Sequence, residues 1–168
     1  MLHAIETPYE NATASADVMT VESESPDYEI RLRASFARQR VMEMLGADLT
    51  AMGPGSVAIE LPFRADLTQQ HGFVHAGIIS TIADSACGYA AFTLMPPDAA
   101  VLTVEFKINL LAPAKGERFI ARARVVRAGR TLSTCAADVV AVEHGEERIV
   151  ATMLATVMAV LDRPNLSG

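Results

Sequence analysis

Apolar and polar positions along the chain follow a helical period in some stretches and a period of two in others, and each marks a different kind of element. Between Ile30 and Leu45 the apolar residues Leu32, Phe36, Val41, Met44 and Leu45 keep roughly helical spacing, and Gly46 offers a left-handed stop. This predicts one short amphipathic helix. The stretch LTAMGPGSVAIELPFR follows, in which Val57, Ile59 and Leu61 alternate with Ala58 and Glu60 behind a Gly-Pro-Gly turn. It reads as a hairpin. Residues 74–95 then form one long apolar run closed by Pro96 and Pro97, which cannot continue a helix.

Beyond residue 100 the period becomes two. Leu102, Val104, Phe106, Ile108 and Leu110 are expected to face one way, and Thr103, Glu105, Lys107 and Asn109 the other. Residues 119–127, 132–142 and 149–160 supply three further strands, with breaks at Pro113 to Gly116, Ala128-Gly129 and His144-Gly145. Connections this short call for antiparallel neighbours, because a parallel crossover takes about a dozen residues or more. The expected class is therefore α+β: a short helix, a hairpin, and a long helix lying across an antiparallel sheet whose last four strands form a meander. On the long helix Gly77, Ser80, Thr81, Cys87, Gly88 and Ala91 share the flank of Asp84, while Ile78, Ile79, Ile82, Tyr89 and Phe92 lie mainly elsewhere. A small-residue flank admits close approach by this sheet or by a second subunit.

Composition narrows the setting. A chain of 168 residues that is 51% apolar fits one domain with a real core. Residues 1–30 carry seven carboxylates and no Lys or Arg. They are expected to be a flexible acidic segment, followed by a single domain over 31–162 and a tail over 163–168. The longest strongly apolar run, Val150 to Leu161, falls short of the roughly 20 residues of a membrane span. The opening residues lack a basic start followed by an apolar block, so no secretory signal is read. The two cysteines, Cys87 and Cys135, have neither CxxC nor metal-ligand spacing. They are read as buried small hydrophobes, and the location as cytoplasmic. No basic stripe with interleaved aromatics exists, which argues against nucleic acid as a partner.

Candidate chemistry concentrates in QQHGFVHAGIISTIAD, Gln69 to Asp84. Gly72 and Gly77 bracket the expected helix start, and the first turn of a helix leaves N–H groups without intrahelical partners. The amides of Ala76 and Gly77 are thus candidate donors to a developing oxyanion, where one donor is worth about 3–4 kcal/mol. Asp84 lies about 12 Å of helical rise beyond Ala76 at about 1.5 Å per residue. Both groups reach one carbonyl only if a substrate spans them or the carboxylate belongs to a facing subunit. A two-fold dimer supplies the second arrangement. An acid amid Ile, Ala, Cys and Gly is costly to bury unpartnered, which favours a functional Asp84.

His71 and His75 are four apart but lack a third ligand on the same element and the HExxH glutamate, so His75 is assigned to capping or orienting the loop. No GxSxG elbow, P-loop or GxGxxG is present. Cys87, mid-helix in apolar company, is expected to be inert.

Gln69-x-x-Gly72-x-x-His75-Ala76-Gly77, with Asp84 nine positions after the histidine and TVEFKINLLAPAKG from Thr103 to Gly116, resembles the hotdog-fold thioesterase superfamily, specifically its PaaI-like acyl-CoA thioesterases. The resemblance runs from about Gly53 to Val160. It implies a long helix wrapped by a curved antiparallel sheet, assembly as homodimers and commonly homotetramers, and cleavage of an acyl-CoA thioester at the dimer interface without metal or cofactor. It implies Asp84 as general base or nucleophile and the Ala76 amide as the group polarising the carbonyl. Gln69 takes the place usually held by Asn, and Thr103, from the partner strand, that of a Ser or Thr orienting the water. His75, Gly77 and Gly88 fall on the substrate side.

Phosphates of CoA need cations, for which Lys107, Lys115, Arg127 and Arg130 are the candidates. Two departures stand out: His-Ala-Gly replaces the family's His-Gly-Gly, and Gln69 is one methylene longer than Asn. Neither removes a required group. Two other activities are open to the same fold: a non-catalytic acyl-CoA binder, and an enoyl-CoA hydratase or dehydratase using His71 with Asp84. The proline-rich loop of the acyl-carrier-protein dehydratases is missing.

Overall fold

The expected opening helix is broken in two. In a computed structural model, which describes residues 27–161, α1 spans Tyr28–Phe36 and α2 spans Arg40–Leu45. The amides of Arg38 and Gln39 bond back three residues, to Ser35 and Phe36, and Gln39 turns extended. That tightening ends α1 in a way the apolar spacing did not reveal. Gly46 closes α2 in the left-handed conformation, with its own N–H and that of Ala47 satisfying the carbonyls of Glu43 and Met42. Helix α1 begins inside the stretch assigned to the acidic opening; residues 1–26 of that stretch and the tail over 163–168 lie outside the described residues.

The hairpin forms as β1 (Asp48–Gly53) and β2 (Ser56–Pro62), and the long helix as α3 (Ala76–Phe92). Four strands follow: β3 (Ala100–Leu110), β4 (Arg118–Arg127), β5 (Leu132–Glu143) and β6 (Glu146–Val160). All pairings are antiparallel, in one six-stranded sheet of order β1-β2-β4-β5-β6-β3. The expected four-strand meander is thus corrected. Of the last four strands only β4, β5 and β6 are consecutive neighbours, and β3 lies at the far edge against β6. The link over residues 111–117 can reach about 23 Å at about 3.3 Å per residue, more than the roughly 14 Å across three strand spacings. It crosses beneath the start of α3, where the Val74 amide donates to Ala114 O and the Leu111 amide to Val150 O.

Helix α3 packs against β2 to β6, and the core lies between helix and sheet. Ile79, Ile82, Ala83, Ala86, Tyr89, Ala90 and Phe92 of α3 meet Ile59, Phe119, Val139, Met153 and Val157 of the sheet in one buried cluster. Each fully buried large side chain contributes about 1.5–3 kcal/mol of transfer free energy. Arg31 of α1 fastens the other end of α3. Its guanidinium donates to Pro96 O at 2.6 Å and Met95 O at 3.1 Å and sits 4.5 Å from the Phe92 ring centre. The last turn of α3 thereby gains a cation where its dipole favours one. Among the described residues no helix is long and apolar enough to cross a membrane.

The clean alternation expected for β3 is also corrected. Thr103 pairs with Val157 and Glu105 with Thr156, so Val104 is an extra residue, a β-bulge. The bulge reverses which side chains face inward. Thr103, opposite buried Val157, shares the helix-facing side with Phe106 and Ile108, opposite buried Ala155 and Met153. Without it Thr103 and Phe106 would lie on opposite faces.

Candidate active site

The loop before α3 is built to present the helix start. Gly72 (φ +82°) closes a turn in which the Gln69 amide donates to Phe73 O and the Gly72 amide to Gln69 O. The Gln69 side-chain oxygen accepts from the His71 amide inside the same turn. This spends its acceptor locally and leaves its NH₂ as the group available to a ligand. His75 is the N-cap. Its Nδ1 accepts from the Gly77 amide at 2.9 Å, which places the ring proton on Nε2 and points a donor outward.

The two amides expected as oxyanion donors are therefore not equivalent. The Gly77 amide is occupied by His75, whereas the Ala76 amide makes no hydrogen bond among the described residues. Gly77 matters for space, since a Cβ there would stand 3.1 Å from His75 Nδ1. Ala76 is simply the first helical residue, and its φ is not positive. Its methyl group in place of the family's glycine is accommodated without backbone strain.

Ala76 and Gln69 open on a groove of about 430 Å³ walled by Phe73, Ile79, Leu110 and Ala114. Asp84 is elsewhere. It is half-buried midway along α3, and its Oδ1 accepts from the Thr103 hydroxyl at 2.7 Å. This is the contact for which the β3 bulge aims Thr103, and it lies within one chain. Asp84 and Thr103 share a separate hollow of about 80 Å³ with Gly88. Gly88 keeps this hollow open, because a Cβ there would meet nothing within 4 Å. Ala91, also on the small flank, and its neighbour Ala90 are packed away in the core.

The candidate cations are scattered. Lys107, on the face of β3 opposite to Thr103, donates to Asn109. Lys115 pairs with Glu143 at 3.0 Å. Arg127 ends β4, and Arg130 lies at a hollow beside Met95 and Pro96, near the C-terminal end of α3. Within one chain none of these lines the groove or the Asp84 hollow. Burial pushes both thiols up, Cys87 further than Cys135, which is raised to about 11; both stay protonated at neutral pH. Among the described residues no group of three His, Cys, Asp or Glu side chains is placed to hold a metal ion.

Sequence reasoning missed Gln39, Ser85 and Tyr89, which join Asp84 around its hollow. Gln39 belongs to the turn between α1 and α2, so only the helix break could have signalled it.

The sequence profile of the thioesterase superfamily matches residues 71–147, from the α3 loop into β6. A thioesterase family protein of Silicibacter pomeroyi is 58% identical, with a TM-score of 0.79 over 80% of this chain and 99% of that one. Human acyl-coenzyme A thioesterase 13 is 29% identical over 91 residues, 54% of this chain and 64% of its own length. The PaaI protein of Escherichia coli, at 19% identity, shares the fold with a TM-score of 0.72 over 80% of this chain and 94% of that one. An identity of 58% across nearly the whole of a solved relative, on the same helix-and-sheet architecture, places this chain in the hotdog-fold thioesterase superfamily.

Proposed function

We propose that the protein hydrolyses an acyl-CoA thioester to free acid and CoA at a site completed by two copies of the chain. The observation that carries this reading is the separation of two complementary half-sites. The free Ala76 amide and the Thr103-anchored Asp84 line different cavities about 12 Å apart along one helix, by its rise of about 1.5 Å per residue. One carbonyl cannot touch both within a chain. Strand β3 supplies the means of closing the gap: it is a sheet edge, with Leu102, Val104, Phe106 and Leu110 all exposed in the isolated chain. Pairing of two such edges about a two-fold axis covers those side chains and sets one Asp84 against the other chain's helix start.

At that composite site the thioester carbonyl accepts from the Ala76 amide, and the outward Nε2–H of His75 and the NH₂ of Gln69 are further donors on the same side. The Asp84 carboxylate takes a proton from water as its oxygen bonds the carbonyl carbon, while Thr103 holds the carboxylate in register. The Ala76 amide and the positive end of α3 stabilise the resulting oxyanion. Collapse of the intermediate breaks the C–S bond, and the CoA sulfur leaves and takes up a proton. Direct attack by the carboxylate, through an anhydride that water then cleaves, uses the same geometry. Lys107, Arg127 and Arg130 are assigned to the CoA phosphates of the assembled dimer.

Release of free thiol from a panel of acyl-CoAs tests the activity. Steady turnover with at least one acyl group is the expected result; no release from any of them rejects the reading.

A further inference from the structure

Gln39 is the N-cap of α2 by its backbone, yet its side chain makes no capping bond. N-cap positions favour short side chains that bond back to the first turn. A glutamine there that points away breaks a local rule, and such departures concentrate at functional sites. This one reaches the middle of α3. Its Oε1 accepts from the Ser85 hydroxyl at 3.3 Å. The Ser85 hydroxyl therefore holds the Gln39 amide against α3. Buried Tyr89, whose phenol oxygen lies 3.3 Å from Ser35 Oγ, lines the same hollow as Gln39.

The same side chain, with Gly88, walls the hollow of about 80 Å³ in which Asp84 and Thr103 meet. The hollow is small beside the groove of about 430 Å³ at the helix start. On the thioesterase reading, acyl carbons beyond a carbonyl attacked at Asp84 would have this hollow beside them. A chain that outgrows it meets Gln39 and must displace an amide that accepts from Ser85, leaving that hydroxyl unpaired.

We propose that Gln39 is a specificity-determining residue that closes the acyl pocket beside Asp84 and restricts the site to short acyl groups. The inference rests on the thioesterase reading and adds a substrate limit contributed by the helical segment ahead of the sheet.

The test compares wild type, Gln39→Ala and Gln39→Met on a series of straight-chain acyl-CoAs. It measures kcat/KM by thiol release, the affinity of the matching non-hydrolysable thioether analogues by calorimetry, and the thermal midpoint of each variant. Gln39→Ala is expected to move the preferred chain length upward and to raise the long-to-short ratio of kcat/KM about ten-fold, the discrimination usual for one methylene in a pocket. Gln39→Met, which keeps the volume, is expected to keep the wild-type preference. Both variants turning over with an unchanged chain-length profile would overturn the role of Gln39 and leave the thioesterase reading intact. Thioether affinities that shift with Gln39→Ala in a protein that hydrolyses nothing would support the pocket and reject the hydrolase. Absence of both turnover and analogue binding rejects both.

Discussion

Asp84→Asn is expected to lower kcat about 10³-fold, within the 10²–10⁴ range of a positioned general base, while KM changes little. The substitution is close to isosteric, and the asparagine oxygen still accepts from Thr103, which now bonds Asp84 at 2.7 Å. Only the proton acceptor, or nucleophile, is removed. The thermal midpoint should therefore hold or rise, because Asp84 is half-buried and its hydrogen bond from Thr103 survives. Undiminished turnover would remove Asp84 from the chemistry. A loss of activity that tracks a fall in the thermal midpoint would assign it to structure instead.

The second large effect comes from a single hydrogen atom. Ala76 is the first residue of α3, a position where proline is well tolerated, because the N–H it lacks has no intrahelical partner anyway. The preceding residue is compatible too: His75 sits at φ −61°, ψ 138°, the extended region a following proline prefers. Ala76→Pro should thus fold normally while deleting the one free amide at the helix start. Loss of a single oxyanion donor costs about 10²–10³ in kcat. A fall in kcat of about 10²–10³-fold with an unchanged thermal midpoint and circular dichroism spectrum is the expected pattern. Full activity in Ala76→Pro would mean that the carbonyl is polarised by some other group.

Much of the fold was legible because hydrophobic period is a local property. The hairpin turn at Gly55, the stop at Gly46 and the strands expected over 119–127 and 132–142, which form over 118–127 and 132–143, follow from spacing and turn residues alone. What was not legible depends on contacts distant in sequence. Strand β3 leaves its neighbour β4 for the far edge because residues 111–117 can cross under α3, a choice made by the helix rather than by the link. The bulge at Val104 interrupts an alternation that looks perfect on paper, and it is what aims Thr103 at Asp84.

The candidate site divides along the same line. Gln69, His75, Ala76, Gly77 and Asp84 form one motif and were found together. The difference between the Ala76 and Gly77 amides was not, since it depends on which way the His75 ring turns. Gln39 stands 45 residues ahead of Asp84 in the sequence and reaches the same hollow through a helix break that carries no proline or glycine.

The central claim is that each reaction centre takes its carboxylate from one chain and its oxyanion donor from another. Co-expression of Asp84→Asn with Ala76→Pro tests it most directly, because each variant alone lacks one half in both of its sites. Random pairing of equal amounts makes half the dimers mixed, and each mixed dimer joins an intact Asp84 to an intact Ala76 at one of its two sites. The account predicts recovery of about a quarter of wild-type activity, as two-fold symmetry requires. Mixed dimers, isolated by two affinity tags, that stay as inactive as either parent would contradict it.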